Sequence, residues 1–362
     1  MQLGLPLLSI CIPTYNRRTT LERLLGLIIE QLTDDIIQNL EICISDNNSS
    51  DDTVEYIENL IDNYKGILKF SRNNQNYGAT YNALKVYQMA TGYYIWPMGD
   101  DDIIVDNAIP ELLNFLSNNM DLDYIGMKCF DQNMKVIYYE LLKSNEVYDQ
   151  NQFINFIKND KLQSFGFMGA NIFKRKLIQE EASLFEWTII RKNSWPHVYI
   201  LLHNLTNIRK IGIFGPCVIQ TGDGLFWYRN NWLIIKVLDN LDIIDMALKS
   251  ERINEKFAFR LIRGILFSRS SLALIISSKI ENKQQYSVSV KRIRQYIVDN
   301  HNTSFWLALF YRICRIFELI PNQILEVNYW LYKKIFRKSD YRMVLAEKIK
   351  LNETSIREGT SC

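Results

Sequence analysis

Apolar runs alternate with helix-spaced apolar positions through the first hundred residues. Continuous apolar segments at Leu7–Ile12, Leu40–Ser45 and Ile67–Phe70 have the length of buried strands, and a fourth run covers Tyr93–Trp96. Between these runs, apolar residues recur at the three- and four-residue spacing of helices with one buried face. Strands that alternate with helices of this length predict an α/β domain built on a parallel sheet.

A polar cluster follows each of the four predicted strands. The clusters are residues 13–18, 46–52, 72–78 and 99–102. Because ligands of a parallel sheet collect beyond the carboxyl ends of its strands, all four clusters are predicted to lie along one edge. This convergence is the strongest physical indication of a binding site in the chain.

The last cluster contains three consecutive carboxylates, Asp100, Asp101 and Asp102, directly after an apolar strand. Adjacent carboxylates repel one another, and the repulsion grows at the end of a buried strand unless a cation lies among them. Mg²⁺ and Mn²⁺ prefer oxygen ligands and commonly bridge protein carboxylates to substrate phosphates. The triplet therefore predicts a metal site for a phosphorylated ligand. The alternative is an acidic turn in which Asp102 caps a helix.

The other clusters offer contacts that a nucleotide needs. Asp46 can accept a hydrogen bond from the N–H edge of a base, Arg72 can pair with phosphate oxygens, and Gly78 allows a close approach of the backbone. Alternatively, Asp46 and its neighbours form an Asx turn and a helix cap, and the arginines after the first strand lie in solvent. The further residues predicted at the nucleotide are Pro13, Thr14, Tyr15, Asn16, Arg17 and Asn47.

Composition and charge narrow the class of protein. The 362 residues are 48% hydrophobic, which is ample for a core and favours two packed units. A net charge of +2 argues against a general nucleic-acid binder. Six cysteines without CxxC spacing are typical of a reduced, cytoplasmic protein without disulfides or structural zinc. Pro13 breaks the first apolar run and no run reaches about 18 residues, so neither a signal peptide nor a spanning helix is predicted.

Four segments in order, LSICIPTYNR, EICISDNNSSDDT, NYGATYNAL and WPMGDDD, resemble the nucleotide-binding half of a family 2 glycosyltransferase. The resemblance covers about Leu7–Asp106. It implies the GT-A fold, a Rossmann-like mixed sheet typical of nucleotide-diphospho-sugar transferases. It also implies an enzyme that moves a sugar from a nucleoside-diphosphate sugar donor with Mn²⁺ or Mg²⁺ as cofactor.

The same resemblance assigns roles within the polar clusters. Asp46 would contact the base, Asp100 the ribose or donor sugar, and Asp101 the metal, with Asp102 nearby. Gly99 stands where the commonest form of the motif has an aspartate, so the division of labour among the three carboxylates stays open. GDDD triplets of this kind look similar to enzymes that add sugars to bacterial surface polysaccharides, including abequosyltransferase-like proteins of O-antigen (lipopolysaccharide) assembly.

The second half of the chain carries the acceptor side of the resemblance. Residues 166–176, GFMGANIFKRK, resemble the family's acceptor segment, in which small residues admit a sugar close to the backbone. The Glu-Asp dipeptide that usually holds the catalytic base is missing. His197, at the start of a predicted helix, is the first candidate for the base, and Asp223 and Glu186 are the next. The absence of a QxxRW signature favours transfer of one sugar over polymerisation.

The pattern turns helical towards the C-terminus. We expect a catalytic GT-A domain at residues 1–225 and a helical extension at 226–362. Aromatic and basic residues alternate through Phe305–Arg342, which is typical of a helix lying on a membrane surface. Packing of this segment on the catalytic domain or on a second subunit of an oligomer is the alternative. An oligosaccharide acceptor linked to lipid would suit an enzyme on the cytoplasmic face of the inner membrane.

Two other functions also fit a nucleotide site on such a sheet. A nucleotidyltransferase would be expected to carry a glycine-rich phosphate loop after the first strand, and PTYNRR is not one. A non-catalytic nucleotide-sugar-binding protein would keep the nucleotide site without turning over the donor.

Overall fold

A computed structural model describes residues 4–130, 136–160, 162, 164–179, 193–219, 235–267, 275–276, 278–280, 283–299, 305–322 and 325. Within these residues, ten strands form one mixed sheet. The strands are β1 (Leu8–Thr14), β2 (Leu40–Asp46), β3 (Leu68–Arg72), β4 (Tyr94–Pro97), β5 (Ile103–Ile104), β6 (Tyr124–Phe130), β7 (Val136–Ile137), β8 (Glu146–Asp149), β9 (Asn171–Lys174) and β10 (Lys210–Ile219). Their order is β3-β2-β1-β4-β9-β6-β10-β5, with β7 beside β6 and β8 beside β10.

Helices cover the sheet and form the C-terminal part of the described chain. They are α1 (Arg18–Ile29), α2 (Asp34–Ile37), α3 (Thr53–Asn63), α4 (Ala79–Met89), α5 (Ala108–Asn118), α6 (Gln150–Asp160), α7 (Lys176–Gln179), α8 (Pro196–His203), α9 (Asn240–Lys249), α10 (Glu255–Leu266), α11 (Lys283–Asp299) and α12 (Phe305–Leu319). A 3-10 turn at Met168–Ala170 precedes β9, and a π-helical turn at Ile235–Asp239 precedes α9.

The four N-terminal strands confirm the α/β pattern predicted from the sequence. β1, β2, β3 and β4 run parallel, and β1 and β2 are almost wholly buried. Their register places Thr14 opposite Asp46 and Asp46 opposite Arg72. Because parallel strands end on the same edge, these three polar residues meet there, beside the turn that follows β4.

The sheet is mixed, as the resemblance implied. The alternation of strands and helices predicts a parallel sheet, which holds only for β1 to β4. β9 is antiparallel to both β4 and β6, and β5, β7 and β8 are also antiparallel to their neighbours. Helices alternate with strands only through the first four strands. Parallel strands need such crossover connections and antiparallel strands do not, so the alternation does not determine the direction of the later strands. Since β9 runs the other way, it begins on the edge where β4 ends.

The C-terminal helices divide between two cores. Residues of α9 and α10, including Ile243, Met246 and Phe257, pack in the main core of the sheet domain. Leu266, Tyr286 and Phe310 belong to a second cluster formed largely by α11 and α12. The boundary expected at residues 225 and 226 lies outside the described residues. No helix in the described ranges is long and apolar enough to cross a bilayer.

A buried carboxylate ties together the strand ends opposite the polar edge. The side chain of Glu41 accepts hydrogen bonds from Ser9 Oγ, from Thr91 Oγ1 at 2.8 Å and from the backbone N–H of Gly92 at 3.0 Å, and it pairs with Lys69. Burial raises the pKa of Glu41, but hydrogen bonds from Lys69, Ser9 and Thr91 outweigh burial, so the net pKa is lowered.

Glu41→Gln is expected to lower the free energy of unfolding by about 1–2 kcal/mol at pH 7, because the charge-assisted bonds become neutral ones. A carboxyl whose folded pKa is depressed stabilises the fold above its unfolded pKa and loses that contribution as the pH falls through the folded pKa. The difference between variant and wild type should therefore shrink below about pH 4.

Urea titrations at pH 7 and at pH 3.5 measure both parts of this expectation. Glu146→Gln, which removes the carboxylate of a surface pair with Lys143, is the matched control and should change the free energy by less than about 0.5 kcal/mol. Equal effects of the two variants at pH 7 would contradict a stabilising role for Glu41.

Candidate active site

Sheet order sets the order of the polar residues along the candidate site. Reading across adjacent strands, Arg72 ends β3, Asp46 ends β2 and Thr14 ends β1. The acidic triplet then follows β4, and Gly169 lies just before β9. The four clusters predicted to share an edge do share one.

Asp100 is fixed by two side chains from the β1 end. Thr14 Oγ1 donates to one carboxylate oxygen at 2.8 Å, and Arg17 Nη1 lies 2.7 Å from the other. Burial raises the pKa of Asp100 to about 6, against the lowering effect of Arg17. These bonds hold the carboxylate in one orientation, which suits a group that must contact a donor at a defined position.

Asp101 is the member of the triplet best placed to bind a cation. Its side chain is 17% exposed, compared with 6% for Asp100. Arg23 Nη2, on α1, donates to the Asp101 carbonyl at 2.9 Å and so holds its backbone, while Arg17 Nη1 lies 3.5 Å from its carboxylate. Asp101 also borders an open cleft of about 380 Å³ between the start of α1 and Asp51–Asp52.

Asp102 closes the turn. Its carboxylate accepts the N–H of Gly99 at 2.9 Å, and its own N–H donates to the Gly99 carbonyl at 3.2 Å. Burial, and then the charge of Asp101, raise the pKa of Asp102 well above its usual value. The acidic turn of the alternative interpretation is therefore formed, but Asp102 does not cap a helix, since α5 begins only at Ala108.

The triplet fits a divalent cation held jointly with a ligand. Among the residues that the structure describes, no three metal-ligating side chains converge on one point. Mg²⁺ is commonly bound by only one or two protein carboxylates, with substrate phosphates and water completing the shell. The accessible Asp101 carboxylate, with Asp102 beside it, supplies that donor set.

The loop after β2 is organised around Asp46. Ser49 donates to the Asp46 carboxylate from its hydroxyl and from its N–H, the latter at 2.9 Å. Arg72 Nε lies 3.6 Å from the same carboxylate, and Arg72 Nη2 donates to the Ser49 carbonyl at 2.9 Å. Asp46 thus bonds locally, as the alternative considered from the sequence expected, but to the N–H three residues on, and it does not cap α3, which begins at Thr53. Arg72 is directed at Asp46 here, and its guanidinium is partly exposed beside it.

The first loop is joined to the second through Asn16. Its N–H donates to Ser49 Oγ at 2.8 Å, and its side-chain oxygen accepts the Ser50 N–H at 2.7 Å. Asn16 has a φ of 51°, a conformation that asparagine adopts more readily than most residues. Tyr15 is 42% exposed and Pro13 is half-buried, so Tyr15 presents its ring towards solvent at this edge.

Asparagine side chains order the third loop. Asn47 Nδ2 donates to Asn76 at 2.8 Å, and Asn47 Oδ1 accepts from Asn73 and from the N–H of Tyr77, each at 3.0 Å. Gly78 has a φ of 91°, in the left-handed region that favours glycine, and α4 begins at the next residue.

The segment at residues 166–176, which the resemblance implies to be on the acceptor side, reaches the acidic turn at Gly169. Trp96 Nε1 donates to the Gly169 carbonyl at 2.9 Å. A Cβ at Gly169 would lie 3.3 Å from Asp102 Oδ2 and 3.1 Å from the ring of Phe167. The absence of a side chain at residue 169 therefore allows the acceptor-side segment to pack directly against the triplet.

His197 begins α8, as predicted, but it is only 4% exposed. Within the described residues neither ring nitrogen has a hydrogen-bond partner of good geometry, although the backbone of Phe165 and Gly166 lies beside the ring. Burial lowers the pKa of His197 to about 4, while the nearby backbone raises it. The ring is neutral at pH 7, and protonating it in place is unfavourable. Asp223 and Glu186 lie outside the described residues.

Hydrogen bonds of the residues just before α8 tie this part of the chain to α4 and to Asp239. Thr80 Oγ1, in the first turn of α4, donates to the Asn193 carbonyl at 2.8 Å. Asn193 Nδ2 donates to the Asp239 carbonyl, and the Ser194 N–H donates to the Asp239 carboxylate at 2.9 Å. Burial raises the pKa of Asp239 to about 6. These bonds connect the start of α4 to Asp239 through residues 193 and 194.

Comparison with known proteins assigns this edge to a family. Residues 9–181 match the model of the family described as "Glycosyl transferase family 2". Residues 9–181 form a family 2 glycosyltransferase domain. The match covers all four polar clusters and the whole of residues 166–176.

Bacterial sugar transferases are similar to part of this chain. Abequosyltransferase RfbV of Salmonella typhimurium is 39% identical over 116 residues, which are 32% of this chain and 34% of the relative. The GalNAc(5)-diNAcBac-PP-undecaprenol beta-1,3-glucosyltransferase of Campylobacter jejuni is 32% identical over 109 residues, 30% of this chain and 34% of the relative. The matched regions thus span about a third of the length of these two relatives.

Solved structures agree on the fold over most of the chain. The crystal structure of residues 1–349 of S. aureus TarS in complex with UDP-GlcNAc has a TM-score of 0.59 at 14% identity. The alignment covers 90% of this chain and 91% of that chain. The fold is the GT-A type, as the sequence resemblance implied, and it has the helical C-terminal region that the apolar pattern predicted.

Two residues that position the family 2 domain's polar edge were not predicted. Arg23 holds the backbone of Asp101, and Asn82 donates to the carbonyls of Thr14 and Ser45 at 3.2 and 2.8 Å. Asn82 is a polar residue on a helix face that is otherwise buried, which is the signal that could have identified it. Arg23 carries no such signal, because a charged residue on an amphipathic helix usually faces solvent.

Proposed function

We propose that this chain is a metal-dependent glycosyltransferase that moves one sugar from a nucleoside-diphosphate sugar to a hydroxyl of a lipid-linked oligosaccharide. We place this reaction in the synthesis of a bacterial surface polysaccharide such as the O-antigen. The observation that carries the proposal is the meeting of Asp46, Thr14, Arg17 and the triplet on one edge of a family 2 domain. The names of the two bacterial relatives agree with the proposed reaction.

The donor would lie along the edge in the order of the strands. Asp46, held by Ser49 and Arg72, would accept a hydrogen bond from the base, and the exposed ring of Tyr15 offers a face beside it. Asp100, held by Thr14 and Arg17, would contact the ribose or the donor sugar. Arg17 also brings positive charge to the position where the diphosphate would lie.

Asp101 would ligate Mn²⁺ or Mg²⁺, with Asp102 beside it. When bound, such an ion neutralises the charge that develops on the departing nucleoside diphosphate. Arg23 and the Gly99–Asp102 turn fix where the Asp101 carboxylate stands. The chain's own contribution is therefore a carboxylate held in place before the donor arrives.

The acceptor hydroxyl must lose a proton as it attacks, and His197, Asp223 and Glu186 are the proposed bases. His197 is neutral at pH 7 and can accept a proton, but it would need to become more accessible than it is in the structure. We expect His197→Gln to lower the turnover rate about tenfold or more with donor affinity unchanged. Single-turnover rates and donor titration calorimetry measure the two quantities. Equal losses in both would assign His197 to packing behind Phe165 and Gly166.

Release of nucleoside diphosphate from a nucleotide sugar, in the presence of an acceptor extract and Mn²⁺, tests the function itself. A thermal-shift screen over nucleotide sugars selects the donor first, because tight binding raises the melting temperature by mass action. Release of pyrophosphate from a nucleoside triphosphate would instead identify a nucleotidyltransferase. Binding without turnover in every acceptor extract would identify a nucleotide-sugar-binding protein.

We also propose that the chain acts at the cytoplasmic face of the inner membrane, with the extension on the lipid surface. Phe310 and Cys314 of α12 are buried in the second core, and Tyr311 and Phe317 pack against it, so these side chains face the other C-terminal helices. On the opposite side, Ile316 is 58% and Leu319 81% exposed, next to the exposed Arg312. The aromatic and basic residues from 326 to 342 lie outside the described residues.

Ile316→Ser with Leu319→Ser is expected to lower binding to anionic liposomes several-fold without changing the melting temperature, because both side chains are exposed. Arg312→Gln should remove about 1 kcal/mol of attraction at low salt and less at high salt. Co-sedimentation at both salt concentrations measures these effects. Leu141→Ser, at a 72% exposed position of the sheet domain, is the control. Wild-type protein that stays in the supernatant at low salt would rule out the membrane surface.

A further inference from the structure

Two aromatic side chains lie beyond the acidic triplet, on the side away from the residues proposed to bind the donor. The rings of Tyr138 and Phe167 are stacked, with centroids 5.6 Å apart and an interplanar angle of 15°. Tyr138 follows β7, and Phe167 precedes the 3-10 turn that leads into β9. Both side chains are only partly buried, so each ring presents surface to solvent.

The pair adjoins the acidic turn. The position of a Cβ at Gly169 is 3.1 Å from the Phe167 ring and 3.3 Å from Asp102 Oδ2, so ring and carboxylate are neighbours across Gly169. Strand order gives the same placement, because β9 lies between β4, which carries the triplet, and β6, which pairs with β7. The aromatic pair is thus on the far side of the triplet from Thr14, Asp46 and Arg72.

The neighbouring aromatic residues show what a purely structural ring looks like here. Tyr139 and Phe165 are fully buried, and the hydroxyl of Tyr139 is bonded to that of Tyr124. Tyr138 is instead only partly buried, so part of its side chain is open to solvent.

We propose that Phe167 and Tyr138 form a platform for the sugar ring of the acceptor. A pyranose has a face of C–H groups that packs on an aromatic ring, while its hydroxyls remain available to polar groups. Aromatic side chains beside a few polar groups are the usual lining of such sites, and the Tyr138 hydroxyl adds a polar contact. The half-buried Gly166 leaves room for a ring to approach the backbone. This inference rests on the proposed glycosyl transfer, whose donor occupies the other side of the triplet.

Binding of methyl β-glucoside, methyl β-galactoside and methyl α-mannoside to the full chain tests the platform, with saturation-transfer NMR as the readout. At least one glycoside should receive saturation on the C–H protons of one ring face. Phe167→Leu and Tyr138→Leu should each weaken that binding about three- to tenfold, the size expected for loss of one aromatic contact. Tyr138→Phe keeps the ring and should stay within about twofold of wild type.

Tyr93→Leu is the matched control, because Tyr93 is an aromatic residue with 36% exposure at the opposite end of β4. It should leave glycoside binding unchanged. Absence of saturation transfer to all three glycosides, or equal binding by wild type and Phe167→Leu, overturns the platform. If Phe167→Leu does not fold, glycoside binding by Tyr138→Leu provides the same test.

A nucleotide arm separates this inference from the proposed function. Titration of Phe167→Leu with the donor nucleotide should give wild-type affinity, because the ring lies beyond the triplet from the base-side residues. Glycoside binding that depends on Phe167 in a chain that binds no nucleotide sugar would keep the platform and overturn the glycosyltransferase. If the chain turns over the donor and the Phe167→Leu substitution leaves glycoside binding unchanged, the glycosyltransferase is kept and the platform is overturned.

Discussion

Asp101→Asn is expected to lower metal-dependent donor turnover by at least about a hundredfold while the chain stays folded. The Asp101 carboxylate neither closes the turn, which Asp102 does, nor pairs with Thr14, which Asp100 does. Asparagine keeps its shape but is a much weaker ligand for a hard cation. Because three adjacent carboxylates repel one another, the melting temperature should be unchanged or slightly raised.

Two measurements separate metal binding from folding. Electron paramagnetic resonance of free Mn²⁺, with the nucleoside diphosphate present, reports binding directly, and nucleoside diphosphate release reports turnover. Asp106→Asn, which changes an exposed carboxylate five residues later, is the matched control and should behave as wild type. A folded Asp101→Asn that binds Mn²⁺ and transfers sugar at the wild-type rate would show that the metal is held elsewhere.

Asp46→Asn is expected to weaken nucleotide binding by roughly 1.5–3 kcal/mol, or about ten- to a hundredfold, which is the cost of losing a charge-assisted hydrogen bond. Asparagine can still accept from the Ser49 N–H, so the turn after β2 should persist. The NH₂ group of the asparagine would then face the N–H group of the base. Two hydrogen-bond donors cannot pair, so the contact with the base is lost and not merely weakened. Calorimetric titration with uridine and cytidine diphosphates measures the effect.

Asp46 is fully buried beneath Ser49 and Arg72, so a role in holding the loop must be measured separately. Ser49→Ala keeps the Asp46 carboxylate but removes the hydrogen bond that it accepts from the Ser49 hydroxyl and the bond that this hydroxyl accepts from the Asn16 N–H. We expect it to change nucleotide affinity less than Asp46→Asn does. If the two variants weaken binding equally, Asp46 acts through the loop. If Asp46→Asn binds as wild type does, the base is read by another group.

The site residues of the first hundred positions could be predicted because they follow directly from local pattern. Apolar runs of strand length specify β1 to β4, and parallel pairing forces their polar ends to one edge. Thr14, Asp46, Arg72 and Asp100 therefore meet without any long-range information beyond strand order. The family resemblance depends on the same local segments, so it identified the fold and led to the donor site proposed at this edge.

The position of the proposed acceptor side could not be predicted from the apolar pattern, and only the resemblance pointed to residues 166–176. β9 is antiparallel and reaches the edge from the opposite direction, and no periodicity in the sequence specifies that insertion. The stacking of Tyr138 on Phe167 joins residues from separate strands, and only the packed sheet brings them next to Asp102. Such contacts depend on tertiary pairing, which a linear pattern does not encode.

By itself, the sequence determined the α/β architecture, the polar edge and the identity of the acidic triplet, because strand periodicity and adjacent charges are local properties. Only the tertiary structure decided how the triplet is divided: Asp100 bonded to Thr14 and Arg17, Asp102 closing the turn, and Asp101 left the most accessible. It also decided that His197 is buried with a pKa of about 4, since burial depends on what α8 packs against. Accessibility and pKa are properties of packed neighbours, and those neighbours are distant in the chain.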